Sequence, residues 1–170
     1  MPGVHTSNHP AAGKSATYFS GPDGAPSRGV FEAHVIFTTW AGTEAALERL
    51  GQWADGLDAK ITLWSFQVVP RQFSWSSPPV SVDFSEERLR SLAHSCCAGA
   101  EIGVRICLCT DRQDCLLNVL RPGSLILLGG RSRWWQTPEQ KLAGVLQCCR
   151  HRVLFVDTGA RTPVARRAAA

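Results

Sequence analysis

The residues best suited to chemistry in this chain are Gly129-Gly130-Arg131-Ser132-Arg133, with Thr137-Pro138-Glu139-Gln140 close behind. Glycines let a backbone approach a ligand closely. Guanidinium groups grip phosphate through paired N–H donors. A helix opened by Thr137 would offer free N–H groups to an anion. A second segment, Thr39-Trp40-Ala41-Gly42, belongs with the first if the strands preceding the two lie side by side. Thr39, Trp40, Gly42, Gly129, Gly130, Arg131, Ser132, Arg133 and Thr137 then make a candidate anion or nucleotide site. The plainer reading of Gly129-Gly130 is a tight turn that needs positive φ.

Trp134-Trp135 follows the arginines. Aromatic rings beside cations suit a core lid, a partner surface or a stacking platform for a base. The seven cysteines form two adjacent pairs, Cys96-Cys97 and Cys148-Cys149, with Cys107, Cys109 and Cys115 besides. None has the two-residue gap of zinc or dithiol redox motifs. Cys96 and Cys149 fall on apolar helix stripes, where a thiol acts as a small hydrophobe. Cys107 and Cys109 share one strand face and could meet a partner, or an oxidant, there.

Other motifs dissolve on inspection. Gly13-Lys14-Ser15 resembles the end of a phosphate loop, but Asn8 stands where that loop needs its first glycine. No Gly-x-Ser-x-Gly elbow is present. No histidine stands beside a Ser or Cys nucleophile with a third orienting group in sequence. Asp111 and Asp114 straddle a helix start, where capping is their expected role. The chain carries no catalytic constellation, and the expectation is a protein that is not an enzyme.

The elements that must position these residues alternate. Val35-Ile36-Phe37-Thr38-Thr39-Trp40 is a β-branched and aromatic run, predicted as a strand. Ala46, Leu47, Leu50, Trp53, Ala54 and Leu57 recur at helical spacing, with Thr43 as the expected cap. Residues 61–69 form a second strand. A loop over 71–84 leads to a helix capped by Ser85. Residues 102–109 alternate strictly between apolar and mixed faces, which predicts an edge strand. Asp111 caps a short third helix, stopped by Pro122-Gly123. Leu125-Ile126-Leu127-Leu128 is continuously apolar, as a central parallel strand must be. Thr137 to Gln140 spells a capping box with proline at the first helical position. A last strand spans 152–156, from Arg152 to Val156.

The order is thus β-α-β-α-β-α-β-α-β, which predicts an α/β fold: a five-stranded parallel sheet with helices on both faces, Rossmann-like. Residues 1–28 are rich in Pro, Gly, Ser and Ala and read as a disordered tail. Residues 29–157 form the domain, and 158–170 a flexible basic tail.

Composition bounds the function. In 170 residues there are 18 basic and 14 acidic side chains, a net charge of +4. Arg161, Arg166 and Arg167 lie in the C-terminal tail, so the excess predicts no nucleic-acid-binding face. No apolar run approaches the roughly 18 residues of a membrane span. An odd cysteine number without an export signal predicts reduced thiols and a cytoplasmic protein that does not bind membranes.

Across about residues 30–157 the element order resembles the universal stress protein family. The first strand followed by Gly42-Thr43, the second ending in Val68-Val69-Pro70, and the closing Val153-Leu154-Phe155-Val156 all fit. The resemblance implies a stress-response regulatory module and adds Val68 to the candidate site. It implies ATP or another adenine nucleotide as ligand, and a homodimer through the last strand. The ATP-binding members carry an aspartate near the end of the first strand, where this chain has Thr39 or Trp40. Their glycine signature requires a second glycine where Ser132 stands. The expectation is therefore a non-catalytic binding module that is not a standard ATP binder. Its alternatives are a nucleotide site rebuilt on Arg131 and Arg133, and a thiol sensor using Cys107 and Cys109.

Overall fold

Parallel strands need long crossovers, and four helices supply them. A computed structural model describes residues 15–20 (backbone alone), 31–54, 58–73, 80–97 and 100–159. The elements are β1 (Ser15–Ser20), β2 (Phe31–Ile36), α1 (Trp40–Ala54), β3 (Ala59–Val68), α2 (Val82–Cys96), β4 (Glu101–Cys109), α3 (Arg112–Val119), β5 (Leu125–Gly130), α4 (Pro138–Cys148) and β6 (Arg152–Asp157). Strand order across the sheet is β1-β4-β3-β2-β5-β6. β2 to β6 are mutually parallel, so the five-stranded parallel sheet of a Rossmann-like α/β fold is present. Strand order reverses between β2, which pairs with β3 on one side and β5 on the other.

The alternation of side chains across the sheet sorts the core into two layers. Val35, Leu63, Ile106 and Leu127 pack under Leu47, Leu50 and Leu89 of α1 and α2. Ile36, Trp64, Cys107 and Leu128 pack under Leu116, Leu142 and Leu146 of α3 and α4. Helices therefore cover both faces. Ile126, Leu127 and Leu128 are wholly buried, as a central strand requires.

Four expectations are corrected. First, Ser15–Ser20, inside the stretch read as a disordered tail, pairs antiparallel with β4. β4 is thus the last parallel strand but not the edge of the sheet. Thr17, Tyr18 and Phe19 are strand-formers set in a turn-rich composition that hid them. Second, the first strand ends at Ile36, and Trp40 already begins α1. The cap is Thr39, whose Oγ1 accepts from Gly42 N at 3.1 Å. Thr43 lies inside the helix, fully buried. Third, Ser81 rather than Ser85 caps α2. Fourth, Gly129 and Gly130 are strand residues, and among the described glycines only Gly123 has positive φ. The caps at Asp111 and the Thr137 capping box stand as predicted. Residues 1–14, 21–28 and 160–170 of the two expected tails lie outside the described residues.

Candidate functional site

The crevice between β2 and β5 is filled by the protein's own backbone. Thr38 Oγ1 donates to Gly129 O at 2.6 Å. Thr38 N donates to Thr43 Oγ1, and Thr43 N to Thr39 O at 2.8 Å. A Cβ on Gly42 would lie 2.7 Å from the carbonyl carbon of Gly129, and a Cβ on Gly129 would collide with the Gly42 carbonyl. The glycines are needed, but for contact between α1 and β5 rather than for a ligand. Thr39, Gly42 and Gly129 are therefore brought together as expected, in a closed joint.

The Gly130 to Thr137 loop is also anchored by the protein's own groups. Asp157, at the end of β6, accepts from Ser132 N at 2.9 Å and Gly159 N at 2.8 Å. Those two bonds hold its carboxyl below the usual carboxylate range, against slight burial, with Arg131 adding to the effect. The anion that this loop favours is thus the protein's own. Gln140 closes the capping box with Thr137 and donates to Ser132 Oγ. Arg133 lies over Trp135 at 5.1 Å, and Trp134 is 92% exposed.

The open concavity lies one strand away, over the carboxyl ends of β2 and β3. It has a volume of about 470 Å³, within the roughly 300–1,000 Å³ of small-molecule sites. β2 sends Phe37 and Thr38 beyond its end, and α1 contributes Trp40. β3 and the residue that follows it supply Ser65 to Val69. Val80 and α2 supply the far wall with Phe84, Ser85 and Arg88, and α3 closes the floor with Arg112. Nine large apolar side chains are exposed among the described residues, and four of them, Trp40, Val68, Val80 and Phe84, line this one cavity. Clustered exposed apolar surface of this kind marks a binding site.

Its polar groups are few and placed. Arg112 donates from one terminal nitrogen to Phe37 O at 2.6 Å. Its Nε is buried with no hydrogen-bond partner. Burial pulls the guanidinium pKa below its ordinary value, opposed by Cys109 and Glu139. Arg88 lies over the Trp40 ring at 4.4 Å and the Phe84 ring at 5.6 Å. Gln67 Nε2 donates to Ser85 Oγ at 2.9 Å. Among the described residues no carboxylate lines the cavity.

Of the residues singled out from sequence, Trp40 and Val68 line this cavity; Arg131, Ser132, Arg133 and Thr137 do not. Phe84, Arg88 and Arg112 were missed. They come from α2 and α3, and no local motif ties them to one another.

The thiols lie elsewhere. Cys107 and Cys109 do share a face, but that face packs against Cys115 and Leu116 of α3 instead of a partner. Hydrogen bonding from the Cys115 thiol pulls the Cys109 pKa down against burial, while bonds to Cys107 and Cys109 push that of Cys115 up. Cys97 donates to Leu47 O at 3.0 Å, and burial pushes its pKa up to about 11. No group of His, Cys, Asp or Glu among the described residues could hold a metal ion, and no helix among them is long and apolar enough to cross a membrane. No family model, curated protein or solved structure matches this chain.

Proposed function

We propose that this protein is a non-catalytic regulatory module of the universal stress protein type, working in the cytoplasm, whose ligand is a flat, anionic, nucleotide-like molecule. The observation that carries this reading is the 470 Å³ cavity with aromatic walls and, among the described residues, two arginines and no carboxylate. A planar ring would pack against Trp40 and Phe84. Arg88, now lying over both rings, would move to the ligand's anionic group. Arg112 would turn its guanidinium to the same anion, which would give its buried Nε the acceptor it lacks. Adenine nucleotides are the first ligands to try. The alternative site on Arg131 and Arg133 is disfavoured because Asp157 already holds that loop's Ser132 amide.

Thermal-shift titration with ATP, ADP and AMP tests the reading. A ligand at 100 times its dissociation constant adds about 2.7 kcal/mol of stability. The native chain should show a raised midpoint, Arg112→Ala should lose it, and the double variant Arg131→Ala, Arg133→Ala should keep it. Loss in the double variant with retention in Arg112→Ala would move the site to the glycine loop. No shift with any nucleotide would end the nucleotide reading.

The reading also includes a homodimer through β6. Val153 to Val156 are only partly buried in the protomer, and no strand pairs with the outer side of β6 among the described residues. Trp134 and Trp135, adjacent in sequence and both exposed, offer a separate protein-partner surface.

A further inference from the structure

A second cavity opens at the opposite end of the sheet, near the amino ends of β2 and β3 and on the α3 face. It measures about 130 Å³, too small for a nucleotide and suited to a tetrahedral oxyanion. Among the described residues three cations line it, Lys60, Arg105 and Arg121, beside one carboxylate, Glu32. Arg121 follows the last turn of α3, whose carbonyl end contributes about half a negative charge at most. Arg121 makes no ion pair with any described residue.

The cavity has a preset donor. Trp64 Nε1 donates to His34 Nδ1 at 3.2 Å. The neutral imidazole must then carry its proton on Nε2, leaving that nitrogen a donor. Trp64 is 3% exposed and Thr62 5%, so both strand walls are fixed by the core. Arg105 lies over the Trp64 ring at 5.2 Å, which orients its guanidinium along the same wall.

We propose that this pocket is an oxyanion site, taking inorganic phosphate or a small phosphomonoester between Arg121, Arg105 and His34. Its occupancy couples to protonation of His34. Burial lowers the His34 pKa first; Arg105, His151 and Arg121 lower it further, and Glu32 alone raises it. Lys60, on the neighbouring strand, adds positive charge on the cavity wall. A bound dianion opposes all the cations, so it raises the His34 pKa above that of the empty site.

The test is titration of the intact protein with inorganic phosphate and, separately, methyl phosphate, following the His34 ring resonances and binding heat. Saturable binding, an upward shift of the His34 pKa, and at least tenfold weaker binding in Arg121→Ala are expected. Tighter methyl phosphate would identify a monoester as ligand, and tighter inorganic phosphate the free anion. Arg112→Ala separates this site from the larger cavity and should leave phosphate affinity unchanged. Loss of binding in Arg112→Ala with retention in Arg121→Ala, or no binding of either anion, would overturn the proposal.

Discussion

At Gly129 the missing side chain is a packing requirement. The Gly42 carbonyl occupies the volume that a Cβ would need, the Thr38 hydroxyl holds the Gly129 carbonyl, and the Thr39 hydroxyl holds the Gly42 amide. Neither partner is the far end of a flexible side chain, so neither yields cheaply. Gly129→Ala should therefore destabilise the fold by about 3 kcal/mol or more, at the upper end for overpacking. Gly144→Ala is the control, because nothing lies within 4 Å of a Cβ there. Urea denaturation of the two variants decides the matter. Sequence made these glycines visible but not their purpose. A Gly-Gly pair after an apolar run looks the same whether it frees a turn, admits a ligand or accommodates a neighbouring helix.

Among the elements, the β5–α4 connection is the one whose behaviour the structure changes most. Two short runs had suggested an anion cradle. The end of β6 supplies the anion itself through Asp157, which anchors the Ser132 and Gly159 amides. Its folded pKa lies below the ordinary 3.8. The stabilisation is thus present above about pH 3.8 and is lost as pH falls through the lower folded value. Asp157→Ala should be less stable than the native chain at pH 7, with the difference vanishing in acid. Hydrogen exchange should speed up at Ser132 and Gly159 in the variant, while α1 amides stay unchanged. Equal stability of the two proteins at neutral pH would show that the anchor contributes nothing. Helix starts at Asp111 and Thr137 were legible because capping is local chemistry within four residues. The start of α1 was not. Trp40 extends a β-branched run that hides the Thr39 cap, and the close packing of Gly42 on β5 adds a tertiary contact that no local pattern shows.

For the molecule as a whole, the alternation of apolar runs and amphipathic stripes carried the parallel sheet and the two helical layers. What it could not carry was convergence. Phe84, Arg88 and Arg112 meet across the sheet ends only once strand order is known. Strand order also bears on assembly. The N–H groups of Arg152 and Thr158 reach across to Ser124 and Gly130 on the β5 side. Alternate residues of a parallel strand face the same neighbour, so the N–H groups of Val153 and Phe155 face outward. Val153→Pro removes one outward donor and leaves the β5 ladder intact. Sedimentation should show a dimer for the native chain and a monomer with native circular dichroism for the variant. A native chain that stays monomeric at high micromolar concentration would rule out the dimer.

β1 has a consequence for that assembly. By lying antiparallel along β4, it takes over the edge position and presents an open outer side of its own, as β6 does at the other flank. A protomer with two open edges can propagate into a fibre unless one of them is blunted, for which a short edge strand serves, whereas a two-fold pairing through β6 stops at two copies. A protein trimmed of its first 20 residues exposes the longer β4 in place of β1 and should, at high concentration, grow past two copies.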